Sequence, residues 1–239
     1  MICKGCGQSK KLVKAHIIPE SFFKAMKSGS SPLKILSNTK GVYSKKSHIG
    51  IYDKSILCRE CEDKFQTLDD YGYRALLGAE CQQTPLIDNE KIVGYEFSGV
   101  DGDKLKLFFI SILWRASIST HSFYSKVKLG KLEGLAKQHV WNFDAGDEDD
   151  FSFVLAKFEG DLTAKTIMDP HPEVWEGVDY QRFYLGSYIL YIKVDEKKTP
   201  ESWRPFIANS GKLFVVSRGP IEKSKEFKLL KETVGMQKT

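Results

Sequence analysis

Two short stretches decide the fold of this chain: Cys3-Lys4-Gly5-Cys6 near its start and Cys58-Arg59-Glu60-Cys61 further on. Each stretch presents two thiols from one tight turn, and two such turns are typical of a tetrahedral zinc site with four thiolate ligands. The alternative is a redox-active Cys-x-x-Cys pair, but redox chemistry would need only one such pair. The spacing therefore predicts a structural zinc ion bound by all four of these cysteines, Cys3, Cys6, Cys58 and Cys61.

Composition places the chain among ordinary globular proteins. Of its 239 residues, 41% are hydrophobic and 28% are charged, which excludes a disordered chain, a collagen-like repeat and a disulfide-dependent miniprotein. No apolar run is long enough for a transmembrane helix, and the first residues lack the profile of a signal peptide. We therefore expect a cytoplasmic protein that does not act at a membrane, with reduced or metal-bound cysteines. The fifth cysteine, Cys81, is expected to be an ordinary buried thiol.

Charge is concentrated at the N-terminal end. Residues 1–54 contain eleven lysines and two acids, a net charge of +9, whereas the whole chain carries +5 and the remainder therefore −4. A basic segment on a nearly neutral body is typical of a protein that binds a polyanion. We expect nucleic acid as the partner, and candidate phosphate contacts are Lys10, Lys11, Lys14, Lys45 and Lys46. The alternative is a lysine-rich surface that only contacts solvent.

Periodicity predicts a mixed α+β chain in two parts. In the first part, residues 21–26 and 59–77 are predicted helices, and residues 28–47 a basic loop. The second part has predicted helices at 103–120, 127–139 and 221–236, the first with one apolar face. Its predicted strands cover residues 151–158, 186–194 and 212–217. We place the domain boundary at residue 80, which gives a zinc-bound domain over 1–80 and an α+β domain over 81–239.

Three polar residues are tied by sequence to the cysteine pairs. His16 follows the first pair, Asp53 lies five residues before Cys58, and Glu62 comes directly after Cys61. A neutral imidazole can deprotonate water near neutral pH. Carboxylates bind hard ions such as Mg²⁺, which stabilise negative charge on a leaving oxygen. This set of side chains suits the hydrolysis of phosphodiester bonds.

Each of these residues also has a purely structural interpretation. A single histidine before Ile17-Ile18 is more often a core or capping residue than a base. Asp53 could be an N-cap of the segment that enters the second cysteine pair. Glu62 could be an acid in the first turn of a helix, where the helix dipole favours it.

The order of these motifs resembles the zinc-stapled HNH endonucleases of the His-Me finger (ββα-metal) group, over roughly residues 1–75. The motifs are Cys-x-x-Cys, then His16-Ile-Ile-Pro19, then a polar residue five before the first cysteine of Leu57-Cys-x-x-Cys, then a candidate ligand after the last cysteine. The resemblance implies a ββα-metal fold and His16 as general base. It puts Asp53 where the family usually has the asparagine that orients this histidine, and Glu62 where it usually has a metal-binding histidine.

One position departs from the family pattern. The acid that often precedes the catalytic histidine is replaced by Ala15, so a second ligand for a catalytic Mg²⁺ or Mn²⁺ must come from Asp53, Glu20 or His48. The resemblance implies a metal-dependent DNA endonuclease, acting in phage defence or restriction. The alternative is a catalytically degenerate zinc module that binds nucleic acid. A further hypothesis is a subunit of a defence or toxin assembly, with residues 81–239 as a sensing, docking or substrate-positioning part.

Overall fold

The computed structural model describes residues 1–26, 33–37, 45–47, 50–160, 166–208, 211–228 and 231. It does not describe the side chains of residues 34, 36, 45 and 166. His48, most of the predicted basic loop and seven residues of the last predicted helix therefore lie outside the described residues. Among the described residues, no helix combines the length and the apolar character needed to cross a bilayer.

The N-terminal part is built from short elements. They are β1 (Ala15–His16), α1 (Glu20–Ala25), β2 (Leu33–Leu36), β3 (Lys45–Ser47), β4 (Tyr52–Asp53), α2 (Arg59–Asp63) and α3 (Gln66–Leu76). Strands β1 and β4 pair antiparallel, with Ala15 opposite Asp53 and His16 opposite Tyr52. Two-residue strands have little stability of their own, so other contacts must hold this ribbon.

The remaining main elements are two helices and eight strands, and most of the strands form one sheet that packs against the helices. They are β5 (Gln82–Asp88), β6 (Lys91–Ser98), α4 (Gly102–Ile118), α5 (Leu132–Asn142), β7 (Phe153–Glu159), β8 (Thr166–Met168), β9 (His171–Trp175), β10 (Val178–Leu185), β11 (Tyr188–Lys193) and β12 (Lys212–Pro220). Seven of these strands form one sheet in the order β5-β6-β12-β7-β11-β10-β9, and β8 instead pairs parallel with β2 in a sheet of order β3-β2-β8. The mixed α+β class is thus confirmed.

Helix α4 is the centre of the fold. Asp101 caps its N-terminus by accepting a hydrogen bond from the Lys104 amide at 3.0 Å. Every residue from 105 to 118 is buried. The prediction of a single apolar face was wrong, because the structure covers the helix all round. Its polar side chains therefore need partners inside the protein.

The main apolar core includes residues from both sides of position 80. Phe22 of α1 stacks on Phe108 of α4, with ring centres 5.7 Å apart, and Phe65 stacks on Trp114 at 6.0 Å. A side chain at Gly72 would put its Cβ 2.4 Å from the Phe108 ring. The described helices of the N-terminal part therefore pack directly against α4, and the division into two domains stays a prediction.

Several predicted elements differ from the structure in extent. The predicted helix over 59–77 is two helices in the structure. Between α2 and α3, the Phe65 amide donates a hydrogen bond to the carbonyl of Glu62, three residues earlier, as in a 3₁₀ turn. Helix α5 begins at Leu132 rather than near residue 127. The closing segment begins with a short 3₁₀ turn, Ile221–Lys223, followed by helical residues 225–228.

Candidate metal and nucleic-acid site

The four predicted zinc ligands lie together. The Sγ atoms of Cys3, Cys6, Cys58 and Cys61 are all within 4.8 Å of one another, and the Sγ atoms of Cys6 and Cys58 are 4.0 Å apart. Tetrahedral Zn–S bonds of about 2.3 Å imply sulfur–sulfur distances of about 3.8 Å. This four-cysteine cluster could therefore bind a structural metal ion such as zinc.

Backbone hydrogen bonds bring the two cysteine pairs together. The first pair lies in a tight hairpin, in which the Gly7 amide donates to the Cys3 carbonyl at 2.8 Å. The segment before Cys58 runs alongside this hairpin, and the Lys4 amide donates to the Ile56 carbonyl at 2.8 Å. The Cys58 amide donates to Cys3 Sγ at 3.2 Å. The cluster is thus built by local backbone geometry as well as by its sulfur atoms.

Gly5 is required by the close approach of the two pairs. A Cβ atom at this position would lie 2.8 Å from Cys61 Sγ and 2.9 Å from Cys61 Cβ. Real Cβ atoms do not approach other atoms so closely, and both contacted atoms belong to a buried ligand. A larger residue at this position would push the two halves of the cluster apart.

The surroundings of the thiols lower the pKa of one of them and raise the pKa of another. Burial favours the neutral thiol of Cys3, but the amides of Cys6, Cys58 and Gly5 outweigh burial and lower its pKa to about 6. Burial and the neighbouring sulfur atoms raise the pKa of Cys61. Four thiolates so close together repel one another, so a bound cation is the natural means of ionising all of them. The donor set fits zinc on both geometry and charge.

His16 is held through its backbone by two side chains. Its amide donates to Glu62 Oε1 at 3.1 Å, and its carbonyl accepts from Arg115 Nη1 at 2.8 Å. Glu62 follows the last cysteine of the cluster, whereas Arg115 belongs to α4. The His16 ring is half-buried and meets the Tyr52 ring edge-on, with centres 5.8 Å apart.

Arg115 belongs to the candidate site but was not predicted from the sequence. Its side chain is fully buried, and it forms a two-point ion pair with Asp69 at 2.6 and 2.9 Å. Burial works against its charge, but the Asp69 carboxylate outweighs burial and raises the pKa of the guanidinium. The sequence does contain a signal for this role, which is an arginine within the apolar run of α4. A buried cation needs an acid and further hydrogen-bond acceptors nearby.

Glu62 combines a structural contact with an unused oxygen. Oε1 accepts the His16 amide, whereas Oε2 is buried and accepts no hydrogen bond from any described group. Burial raises the pKa of Glu62, against the opposing effects of Arg115 and the His16 amide. The predicted role of Glu62 as a metal ligand stays a prediction, and Oε2 is the oxygen that could fill it.

Asp53 is saturated with hydrogen bonds. Its carboxylate accepts from the amide and hydroxyl of Ser55, from the Ser119 hydroxyl, and from the amide and hydroxyl of Thr120, at 2.6–3.0 Å. Despite burial, these donors hold the pKa of Asp53 well below its ordinary value. In the β1–β4 ribbon it pairs with Ala15 rather than with His16. Adjacent strand residues point to opposite faces, so the structure brings His16 to Glu62 but not to Asp53.

The other candidate ligands lie apart from this arrangement. Glu20 is in the first turn of α1 and pairs with Lys24 at 3.3 Å. His48 lies outside the described residues. Within the described ranges, the four-cysteine cluster is the one group of three or more His, Cys, Asp or Glu side chains that could hold a metal ion.

The predicted phosphate-binding lysines have different environments. Lys10 pairs with Glu60 at 2.5 Å, and Lys11 is exposed. Lys14 Nζ lies 5.2 Å from the centre of the Tyr52 ring, and Lys54, which the sequence did not single out, approaches the same ring at 5.8 Å. The side chain of Lys45 lies outside the described residues.

A cleft of about 550 Å³ opens beside Tyr52. Most of its lining side chains are basic or carry hydroxyl groups, and they include Ser37, Lys46, Tyr52, Lys54, Thr120 and His121. Such groups bind phosphate oxygens well. The sequence predicted Lys46 for this purpose, but it did not single out His121, which comes from the segment after α4.

Comparisons with family models, with curated proteins and with solved structures returned no match.

Proposed function

We propose that this chain is a metal-dependent endonuclease that hydrolyses DNA phosphodiester bonds, with His16 as the general base and zinc bound by the four-cysteine cluster. The single observation that carries the proposal is that both backbone groups of His16 are held by side chains. Glu62 binds its amide and Arg115 binds its carbonyl, while its ring lies beside a tyrosine flanked by two lysines. A histidine held so close to a basic surface is suited to act on a phosphate backbone.

The chemistry of the proposed step follows from these groups. The neutral imidazole of His16 takes a proton from a water molecule, and the water oxygen forms a bond to phosphorus. The bond between phosphorus and the leaving sugar oxygen breaks, and that oxygen takes up a proton. A bound Mg²⁺ or Mn²⁺ would stabilise the charge on the leaving oxygen, and Glu62 Oε2 is the protein oxygen best suited to hold such an ion.

Electrostatics supports nucleic acid as the substrate. Lys14, Lys46 and Lys54 lie on or beside the Tyr52 cleft, within the segment that carries the net charge of +9. Lysines that contact phosphates release counterions, so binding weakens as salt rises. The same contacts carry no base sequence information, and the proposal therefore concerns the backbone chemistry alone.

The test is nicking of supercoiled plasmid in Mg²⁺ or Mn²⁺, with wild-type protein and His16→Ala. We expect His16→Ala to lose at least about a hundredfold in rate, as general-base removal typically does. The variant should retain its zinc content and its circular dichroism spectrum, because His16 is held through its backbone. Equal cleavage by both proteins, or no cleavage by wild type with either ion, would overturn the proposal.

The second candidate function is a zinc-containing module that binds nucleic acid without cutting it. It is favoured by the hydrogen bonds that already occupy Asp53 and Glu62 Oε1. We expect the double variant Lys14→Ala/Lys54→Ala to weaken DNA binding and to reduce the salt slope by roughly two, about one for each lost phosphate contact. Lys91→Ala removes a similar charge from the exposed first residue of β6 and serves as the control.

A further inference from the structure

The outer face of the seven-stranded sheet carries a second apolar cluster, separate from the main core. It contains Tyr180, Tyr191 and Trp203 together with strand residues of β7, β10 and β11. The segment around Trp203 covers only part of this face. Beside it, Trp175 is 48% exposed. A half-exposed tryptophan next to a partly covered apolar cluster is a reason to look for a ligand.

A pocket of about 300 Å³ opens on this face. Its lining includes small aliphatic side chains of β7 and β12, namely Val154, Ala156 and Val216. Four aromatic side chains also line it: Trp175, Tyr191, Trp203 and Phe206. The volume and the mainly apolar lining are typical of small-ligand sites.

The aromatic rings form a corner rather than a flat stack. Trp203 stacks on Tyr180, with ring centres 4.3 Å apart and planes 27° apart. Trp175 and Tyr191 meet Trp203 at steep angles, 62° at 5.6 Å and 87° at 5.8 Å. Rings set at such angles can surround one compact group on several sides.

The exposed Trp175 is held by a tight turn. Trp175 pairs with Val178 across the β9–β10 hairpin, and the two residues between them, Glu176 and Gly177, both have positive φ angles of 50° and 75°. This is the geometry of a two-residue hairpin turn. The turn also places Glu176 at the pocket, where its carboxylate accepts a hydrogen bond from Ser202 Oγ at 2.6 Å.

The charges around the pocket favour a cation. Within the described ranges, no basic side chain forms an ion pair with Glu176. Arg218 also lines the pocket, but its guanidinium donates to Tyr191 Oη at 2.7 Å and shares the buried Glu226, at 3.6 Å, with Arg182. Arg182 also pairs with Glu173 at 3.1 Å, so the two arginines are matched by two carboxylates, whereas the exposed Glu176 has no such partner among the described basic side chains. Aromatic faces are also electronegative.

We propose that this pocket binds a methylated ammonium group, with Trp175, Trp203 and Tyr191 around the cation and Glu176 balancing its charge. Quaternary ammonium groups are the ligands that aromatic cages of this kind recognise best. The group could belong to a free small molecule or to a methylated lysine of another protein, because the chemistry at the pocket is the same.

The experiment is an NMR titration of the full chain with tetramethylammonium chloride, which reads the indole N–H signals of the four tryptophans. We expect the Trp175 and Trp203 signals to shift in a saturable way. The Trp114 and Trp141 signals should stay in place, because those residues contact Phe65 on the other side of the sheet. Sodium chloride and uncharged tert-butanol, at equal concentrations, should leave all four signals unchanged.

Two exposed positions provide matched variants. We expect Trp175→Ala and Glu176→Gln each to weaken tetramethylammonium binding by about three- to thirtyfold. Val174→Ala, on the same strand with its side chain on the opposite face, should bind as wild type does. His16→Ala should also bind normally, which separates this proposal from the nuclease proposal. A trimethyllysine peptide that binds more tightly than tetramethylammonium would identify a protein as the source, and equal affinities would identify a small molecule.

Three results would overturn the proposal. They are no saturable shift with any ammonium probe, equal shifts with tert-butanol, and binding of sodium acetate that depends on Arg218. The last of these would identify the pocket as an anion site.

Discussion

The N-terminal part of the chain and the seven-stranded sheet are each stabilised by different interactions. The sheet has strands of five to nine residues in a continuous ladder, packed on both faces by apolar clusters. The N-terminal part has two-residue strands and helices of five, six and eleven residues, which are too short to be stable alone. Its structure depends on the four-cysteine cluster and on side chains from α4. The difference teaches that the candidate base, His16, is positioned by the glutamate that follows the last cysteine and by a distant arginine, with only a two-residue strand pairing to support it.

The largest expected effect comes from breaking the cluster. Cys61→Ser, or removal of the metal by a chelator, should abolish the hydrogen-exchange protection of the Lys4, Val13 and His16 amides, while β7 and β11 amides stay protected. Structural zinc contributes on the order of 10 kcal/mol in small domains, far more than the short elements supply. Cys81→Ser, at a buried thiol outside the cluster, is the control and should keep full protection. Uniform loss of protection in both regions would show that the two are not independent.

The next largest effect should come from Arg115. Arg115→Met leaves the half-buried Asp69 without a cation, and breaking a buried ion pair in this way costs up to about 3–5 kcal/mol. Urea unfolding measures this loss. The double variant Arg115→Met/Asp69→Leu removes both charges and should recover most of the stability. It should not recover plasmid nicking, because the His16 carbonyl still lacks its donor. Recovery of both properties would show that Arg115 stabilises the fold without positioning His16.

A smaller effect is expected at Gly5. Gly5→Ala should cost about 1–3 kcal/mol, the usual range for overpacking, because its Cβ would meet the Cys61 side chain. It should also weaken zinc binding in a competition titration with a chromogenic chelator. Gly134→Ala adds the same atom in α5 with no heavy atom within 4 Å, and it should be neutral or stabilising by up to about 1 kcal/mol. Equal zinc affinities in the two variants would contradict the packing argument.

The smallest expected effect concerns the sheet alone. Burial lowers the pKa of His171 to about 4, although Asp169, 4.0 Å away, opposes the shift, while Arg182 and Lys126 reinforce it. A histidine in the unfolded chain has a pKa near 6.5. The unfolded state therefore binds more protons between these values, and the free energy of unfolding should fall as the pH drops from about 6.5 to 4.

The substitution His171→Gln tests this assignment. The variant should lose most of that pH dependence in urea unfolding curves, because glutamine does not titrate. An unchanged slope would assign the effect to a group other than His171.

The sequence predicts the two regions to different extents. Helix α4 and strands β7, β11 and β12 could be predicted because they are long and apolar. The strands β5 and β9 could not, because their side chains are mostly exposed or half-buried and show no clear alternation. Pro85 also lies within β5, where proline argues against a strand; the strand forms because it is at the sheet edge.

Within the candidate site, local spacing predicted the cluster but not the surroundings of His16. The four cysteines are close because each pair lies in one turn and the pairs share backbone hydrogen bonds. Arg115 is 99 residues from His16, and no periodicity connects them. Asp53 was expected beside His16, yet the one-residue offset in the β1–β4 register puts it on the other face. Cross-strand register is a tertiary property, which a motif of five residues does not fix.

The link between Arg115 and the His16 carbonyl has a consequence for synthesis on the ribosome. A nascent chain that ends before α4 already contains all four thiols and can capture a metal ion. It still lacks the guanidinium that binds His16 and the Thr120 and Ser119 donors that hold Asp53. The candidate catalytic segment therefore reaches its final arrangement only after α4 has emerged from the exit tunnel, so metal loading can precede assembly of the complete site.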